Sequence, residues 1–276
     1  MYAADVNCGF TIHEKNGVVF YTIPAFDAAG FNHCFTTRIG GVSDAPYKSL
    51  NLSLSREKSV ENKKENYTRV AQSIGCGYED LAIVNYNHGD GIYHAGKKDA
   101  GKGISKQSDL PFCDAMIVYE PGVTGVTLNT DCVPVFVADT KQSIAAVSHA
   151  GWRGVLAELP GKVIREFVTV YHSRPEDLIV GIGPHILKCC FEVREDVFEP
   201  FMEKFGAPVC LQENGKMYVD LERAVLMQLE KEGVPAANVT TSGLCTCCRD
   251  ELFFSLRREK DNTGAMGAFI YIGEGR

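Results

Sequence analysis

The chain has 276 residues, 45% of them hydrophobic and 23% charged, with a net charge of −7. That length serves one large domain or two intimately joined ones, and the composition is that of an ordinary globular protein. No stretch is basic enough for a nucleic-acid surface and no apolar run reaches the roughly 18 residues of a membrane span. The opening MYAADVNCGFTIHEKNG lacks the basic and apolar regions of a leader, so the cytoplasm is the expected compartment.

Strand-like segments, rich in β-branched and aromatic residues and punctuated by Gly, Pro and Asp, fall at 17–26, 33–41, 81–89, 114–121, 125–139, 143–151, 178–186, 239–246 and 267–273. Helical periodicity shows in 57–75, 154–172, 195–206 and 220–233, the last opening on Asp220 as an N-cap and closing on Gly233. Strands and helices interleave, which predicts an α/β or mixed α+β fold. The charged run 55–69 reads as the solvated face of the first long helix. The Gly- and Lys-rich segment 97–115 has no periodicity and reads as a surface excursion, able to act as a lid but without a phosphate-loop pattern.

Eleven cysteines in a long chain, odd in number and with no leader, read as reduced thiols rather than a disulfide framework. The adjacent pairs Cys189-Cys190 and Cys247-Cys248 are not expected to bridge internally, because neighbouring side chains point apart. Cys245 and Cys248 have the spacing of half a zinc ribbon. Their obvious partner is the bare Cys189-Cys190 pair, which argues against structural zinc there.

Three metal-compatible side chains accompany apolar strands: His88 in NHGDG, Cys132 in LNTDCVPVFVAD and His149 in AAVSHAGWRG. The last strand stops in His-Ala-Gly-Trp-Arg-Gly, which delivers polar groups to the mouth of a sheet, where open α/β folds bind ligands. Two imidazoles and a thiolate suit zinc, with the fourth position left to water or substrate. Spacings of 44 and 17 residues are not diagnostic, and two other readings stay open. One is a core thiol with two turn histidines. The other is a Cys132 nucleophile deprotonated by His149 and oriented by Asp131 or His88. Arg38, Arg153 and the pair Arg257-Arg258 stand at expected strand ends or turns among Gly, Ser and Thr, a setting suited to phosphate or carboxylate.

In order from residue 33 to 264 run HCFTTRIGGVSDAPYKSLNLS, NHG, CDAMIVYEPGVTGVTLNTDCVPVFVAD, AAVSHAGWRG, GIGPHILKCCFEV and CT…FFSLRRE…TG. Together they resemble the YfiH family, long labelled laccase-domain or polyphenol oxidase proteins and now regarded as purine nucleoside phosphorylases. The resemblance implies one domain over residues 1–276, with mixed β-sheets sandwiched between helices, distantly similar to the deamidase domain of cytotoxic necrotizing factor. It also implies zinc, or copper in its place, on His88, Cys132 and His149. The expected reaction joins phosphate to the ribose of adenosine, inosine or 5′-methylthioadenosine and releases the base, with adenosine deamination as an associated activity. In that reading His88, Cys132 and His149 are catalytic, Arg38, Arg153 and Arg257 hold substrate or phosphate, and neither nucleic acid nor membrane is a partner.

The competing readings are a metal-free Cys132–His149 hydrolase or deamidase, and a partner-binding protein whose zinc is structural. Departures from the family pattern are Tyr86-Asn87 for Gln-Val before His88, Asn129-Thr130 for Thr-Ala in the usual TADC, Leu256 for Tyr in SYRR, and Tyr67 and Ala265 where arginines often stand. None removes an expected metal ligand.

Overall fold

In the computed structural model, which describes residues 8–273, the chain begins with β1 (Thr11–Lys15), β2 (Val18–Thr22), α1 (Pro24–Ala28), β3 (Phe31–Thr36), α2 (Val60–Ile74), β4 (Leu81–Ile83), β5 (Ile92–Ala95) and β6 (Ala115–Val118). It continues with β7 (Thr124–Asn129), β8 (Val133–Asp139), β9 (Ala145–Ala150), α3 (Trp152–Leu156), α4 (Leu159–Val170), β10 (Leu178–Ile182), β11 (Glu192–Val193) and α5 (Glu195–Phe205). It ends with β12 (Cys210–Glu213), β13 (Lys216–Val219), α6 (Leu221–Lys231), β14 (Val239–Thr241), α7 (Leu256–Glu259) and β15 (Met266–Ile272). Residues 1–7 of the run read for a leader lie outside the described residues. No described helix is long and apolar enough to cross a membrane.

Side chains alternate across a strand, so a strand apolar at every position must be covered on both faces. β8 does this: Val133, Val135 and Val137 enter one core, Phe136 and Ala138 another. The result is two six-stranded mixed sheets packed face to face, ordered β1-β2-β3-β15-β7-β4 and β14-β10-β8-β9-β6-β5. Phe35 and Ile270 from the first meet Met116, Phe136 and Val147 from the second between them. Tyr67, Val70 and Ala71 of α2 cover the outer face of the first sheet, and α3 to α6 cover that of the second. The architecture is a mixed α+β single domain. β11, β13 and β12 form a small third sheet beside α5, which the sequence reading does not anticipate.

Local chemistry explains most element ends. Ser59 caps α2 by accepting the Asn62 N–H, and Asp220 caps α6 by accepting the Arg223 N–H, each cap contributing about 1 kcal/mol. The expected helix 154–172 is two helices, because Pro160 lacks an N–H and fits only a helix start. Glu158, in a left-handed conformation, makes the turn between them. The expected strand 125–139 also divides: β7 belongs to the first sheet and β8 to the second, and Thr130–Cys132 is the crossing. Cys132 therefore sits between strands, not within one. Arg153 lies in α3, and Arg257 and Arg258 in α7, rather than at strand ends, since short helices follow the glycine and serine turns there.

Candidate active site

Several strand ends meet at one edge of the second sheet. The β8–β9 register sets Val133 opposite Ala150 and Pro134 opposite His149, so Cys132, one residue before β8, falls beside the end of β9. β6 starts at Ala115 opposite Ser148, and the carbonyl of the preceding Asp114 accepts the His149 backbone N–H at 2.7 Å. β5 runs parallel to β6 from Ile92 opposite Ala115, which brings the 84–91 loop and His88 to the same edge. Register alone thus gathers His88, Cys132 and His149, whose ligand atoms lie within 4.8 Å of one another.

Asp114 holds this arrangement in place. Its side chain is fully buried, and Oδ1 accepts the His88 N–H at 3.0 Å and faces His149 Nδ1 at 3.1 Å. Oδ2 accepts the backbone N–H groups of Gly89 at 2.8 Å and Asn87 at 3.3 Å. These bonds support His88 in a left-handed conformation, φ 60°, that a residue with a side chain seldom adopts. With Nδ1 turned to Asp114, His149 presents Nε2 to Cys132. The His88 and His149 rings meet edge to face with centroids 5.0 Å apart, and Tyr86 packs against His149 at 5.0 Å.

Burial pushes the Cys132 thiol up, but the charge of His149 and hydrogen bonds from His149 and His88 outweigh it and bring the group to about 6. Burial lowers His149, while the Cys132 thiolate and the Asp114 carboxylate raise it to about 9. Neighbouring opposite charges favour the ionised forms of both. The pair is a thiolate beside an imidazolium near neutral pH. The carboxylate that orients His149 is Asp114 and not Asp131, whose Oδ1 accepts the Thr246 hydroxyl at 2.7 Å and whose Oδ2 accepts the Arg257 N–H at 2.8 Å. Sequence reasoning passes over Asp114, although a carboxylate abutting the all-apolar β6 is a usable signal.

The donor set fits a soft or borderline divalent metal. Zinc–nitrogen and zinc–sulfur bonds of about 2.0–2.3 Å need donors less than 5 Å apart, and a metal-binding histidine usually gives its other ring N–H to a carboxylate, as His149 does to Asp114. Three protein donors leave one position open.

His88 and Cys132 stand in the wall of a cavity of about 550 Å³, a volume typical of small-molecule sites. Trp152, Ile186, Phe191 and Leu221 give it apolar faces, and Arg153, Arg257 and Lys260 give it positive charge. The Arg153 guanidinium stacks 4.1 Å from the Trp152 ring, and that of Arg257 lies 5.6 Å from the Phe191 ring while donating to the Cys190 carbonyl at 2.8 Å. Arg38 is elsewhere. It pairs with Glu259 at 2.7 Å, donates to the carbonyls of Asp250 and Lys48, and stacks on Phe254. Tyr67 and Ala265, where family members often carry arginine, are buried in the core over the first sheet and do not line the cavity.

This fold and site define a family. The family described as multi-copper polyphenol oxidoreductase laccase is matched over residues 32–273, and the chain belongs to it; it is the YfiH family. The chain is 32% identical over 262 residues to the Geobacillus stearothermophilus protein named purine nucleoside phosphorylase YlmD, covering 93% of this chain and 95% of that one. It is 33% identical over 238 residues to a Deinococcus radiodurans protein named purine nucleoside phosphorylase, covering 86% and 88%. The crystal structure of YlmD from Geobacillus stearothermophilus superposes with a TM-score of 0.90 at 30% identity, over 97% of this chain and all of that one. That of YfiH from Bacillus licheniformis gives 0.88 at 26% identity, over 95% and 99%.

Proposed function

We propose that the chain is a zinc-dependent purine nucleoside phosphorylase acting on adenosine, inosine or 5′-methylthioadenosine, with the metal on His88, Cys132 and His149. The observation that carries this reading is one cavity whose wall holds two of the three clustered metal donors, His88 and Cys132, with two planar apolar faces and three cationic side chains. The names of the relatives support it. A bound zinc supplies Lewis-acid polarisation for phosphorolysis and water activation for adenosine deamination, the second activity we propose; copper is an alternative occupant.

The chain's own side chains do the rest. Arg153, Arg257 and Lys260 bind orthophosphate through charge-assisted hydrogen bonds and offset its charge as one oxygen attacks C1′ of the ribose. The C1′–N9 bond breaks, its electron pair leaves with the purine, and the base takes up the proton that hydrogen phosphate gives up on becoming the ribose 1-phosphate ester. Trp152 and Phe191 offer flat faces to the purine. Arg38 acts as a positioning residue: its ion pair holds Glu259, which in turn pairs with Arg258 in α7, the helix that carries Arg257.

A nucleoside panel with and without phosphate tests the reading. Phosphate-dependent release of base with ribose 1-phosphate is expected, abolished in Cys132→Ala and with a raised KM for phosphate in Arg153→Ala and Arg257→Ala. Equal turnover without phosphate, with free ribose as product, would make the enzyme a hydrolase. A second reading has its own observation, the ionised Cys132–His149 pair oriented by Asp114, which is the arrangement of a cysteine hydrolase or deamidase. Full activity in metal-stripped protein would select it.

A further inference from the structure

The bare Cys189-Cys190 pair lacks the spacing of a zinc-ribbon half, yet the fold brings it onto Cys245 and Cys248. His185 and Cys245 form an isolated parallel bridge, with the Thr246 N–H donating to the His185 carbonyl at 3.0 Å, so the two cysteine segments leave it side by side. Each then curls into a turn, Lys188–Cys190 on one side and Thr246–Cys248 on the other. In a turn, consecutive side chains do not point to opposite sides as they do in a strand.

The thiols converge as a result. Sγ of Cys189 lies 3.8 Å from that of Cys190 and 3.7 Å from that of Cys248, and Cys190 and Cys248 are 3.4 Å apart. With Cys245 the four sulfurs lie within 4.8 Å of one another. A tetrahedral zinc with Zn–S bonds of about 2.3 Å has sulfur–sulfur edges of about 3.8 Å. A disulfide needs about 2.05 Å. Cys245 Sγ also receives the Leu187 N–H at 3.4 Å and the backbone N–H groups of Cys247 and Cys248, a density of donors suited to a thiolate rather than to a thiol, which accepts weakly.

We infer that Cys189, Cys190, Cys245 and Cys248 form a second, four-thiolate zinc site that clamps these two turns together. All four positions are taken by protein, which makes the site structural where the His88 centre is open. What it steadies is the cavity wall. Phe191, next to Cys190, lines the cavity, and Arg257 is held by the Cys190 carbonyl. Arg258 donates to the carbonyls of Thr246 and Cys247, each at 2.8 Å. The inference does not depend on which reaction the cavity supports.

Metal counting tests it on the full chain purified under reducing conditions with zinc present, then desalted. Two zinc ions per chain are expected. Cys189→Ser and Cys248→Ser, both at exposed positions, each lose one and keep the other, and His149→Ala loses the other one; the double variant His149→Ala/Cys248→Ser holds none. Cys248→His restores the second zinc, because one imidazole replaces a thiolate in such sites, and Cys247→Ser keeps both. Folding of each variant is read by circular dichroism. The inference fails if folded Cys248→Ser retains the wild-type zinc content. It also fails if the wild-type mass, measured without reductant, shows the loss of two hydrogens that marks a disulfide among these four.

Discussion

At the scale of single residues, Asp114 determines more than its size suggests. Burial would raise its carboxyl, but His149 and the backbone N–H groups of the 87–89 turn hold it below the usual carboxylate range, so it stays an acceptor for all four donors. Asparagine has the same shape but replaces one acceptor oxygen with a donor NH₂, which cannot serve both the backbone and His149. Asp114→Asn is expected to stay folded while metal affinity falls about 10–100-fold, as for other carboxylates behind a ligating histidine, measured by competition with a chelator. Unchanged affinity would show that His149 needs no such support. The Cys132–His149 pair sets a pH dependence with a definite sign. Between about 9 and about 6 the metal-free pair holds one proton, on His149, which an incoming metal must displace. Below about 6 the Cys132 thiol is protonated as well. Affinity therefore falls as pH falls, and falls more steeply below about 6. Chelator competition across this range reads the slope, and a flat profile would contradict the pairing.

At the scale of elements, the site is a consequence of register, and the residue after β9 packs against two of its ligands. A Cβ on Gly151 would lie 3.1 Å from His88 Cδ2 and 3.3 Å from Cys132 Sγ, so any side chain there pushes on two ligands at once. Gly151 has an ordinary negative φ of −64°, which alanine accepts without backbone strain. Gly151→Ala is thus expected to leave the melting temperature nearly unchanged while reducing metal occupancy and turnover several-fold; intact occupancy would mean that the ligands move aside freely. The same elements explain what the sequence could and could not reveal. β9 is legible because an apolar strand that ends in His-Ala-Gly-Trp-Arg signals a site at its tip. The break between β7 and β8 is hidden because both strands are buried on both faces, so only the turn-forming Asn129-Thr130-Asp131 marks the crossing that places Cys132. The third sheet is hidden for the opposite reason: β11 has two residues, β12 is short and largely exposed, and β13 is short and mostly half-buried or exposed. Arg38 is recognisable as a functional-looking arginine, but its partner Glu259 is 221 residues away in sequence, and no local pattern encodes that pairing.

At the scale of the whole molecule, the family description raises the question of copper, and the inventory of imidazoles answers it. A blue-copper centre takes two histidines and a cysteine with a weak axial ligand, and further coppers draw mainly on more imidazole. The chain has seven histidines. His13 bonds to the Thr22 hydroxyl, His33 accepts the Ile23 N–H inside the core, His94 lies between Tyr171 and Glu166, and His185 is buried against the Gly183 carbonyl. Exposed His172 belongs to no metal-ligand cluster found among the described residues, which leaves His88 and His149 as the histidines that share one. Nothing remains to build a trinuclear cluster beside them. The expected outcome is therefore a single tightly held copper when the protein is saturated with copper and desalted, counted in the Cys189→Ser/Cys248→Ser background so that the second thiolate cluster does not contribute. Any phenol oxidation of that preparation should be slow and should disappear with Cys132→Ala. Several tightly bound coppers with an intense blue absorption band would show instead that the chain assembles a multicopper centre from residues that the fold keeps apart.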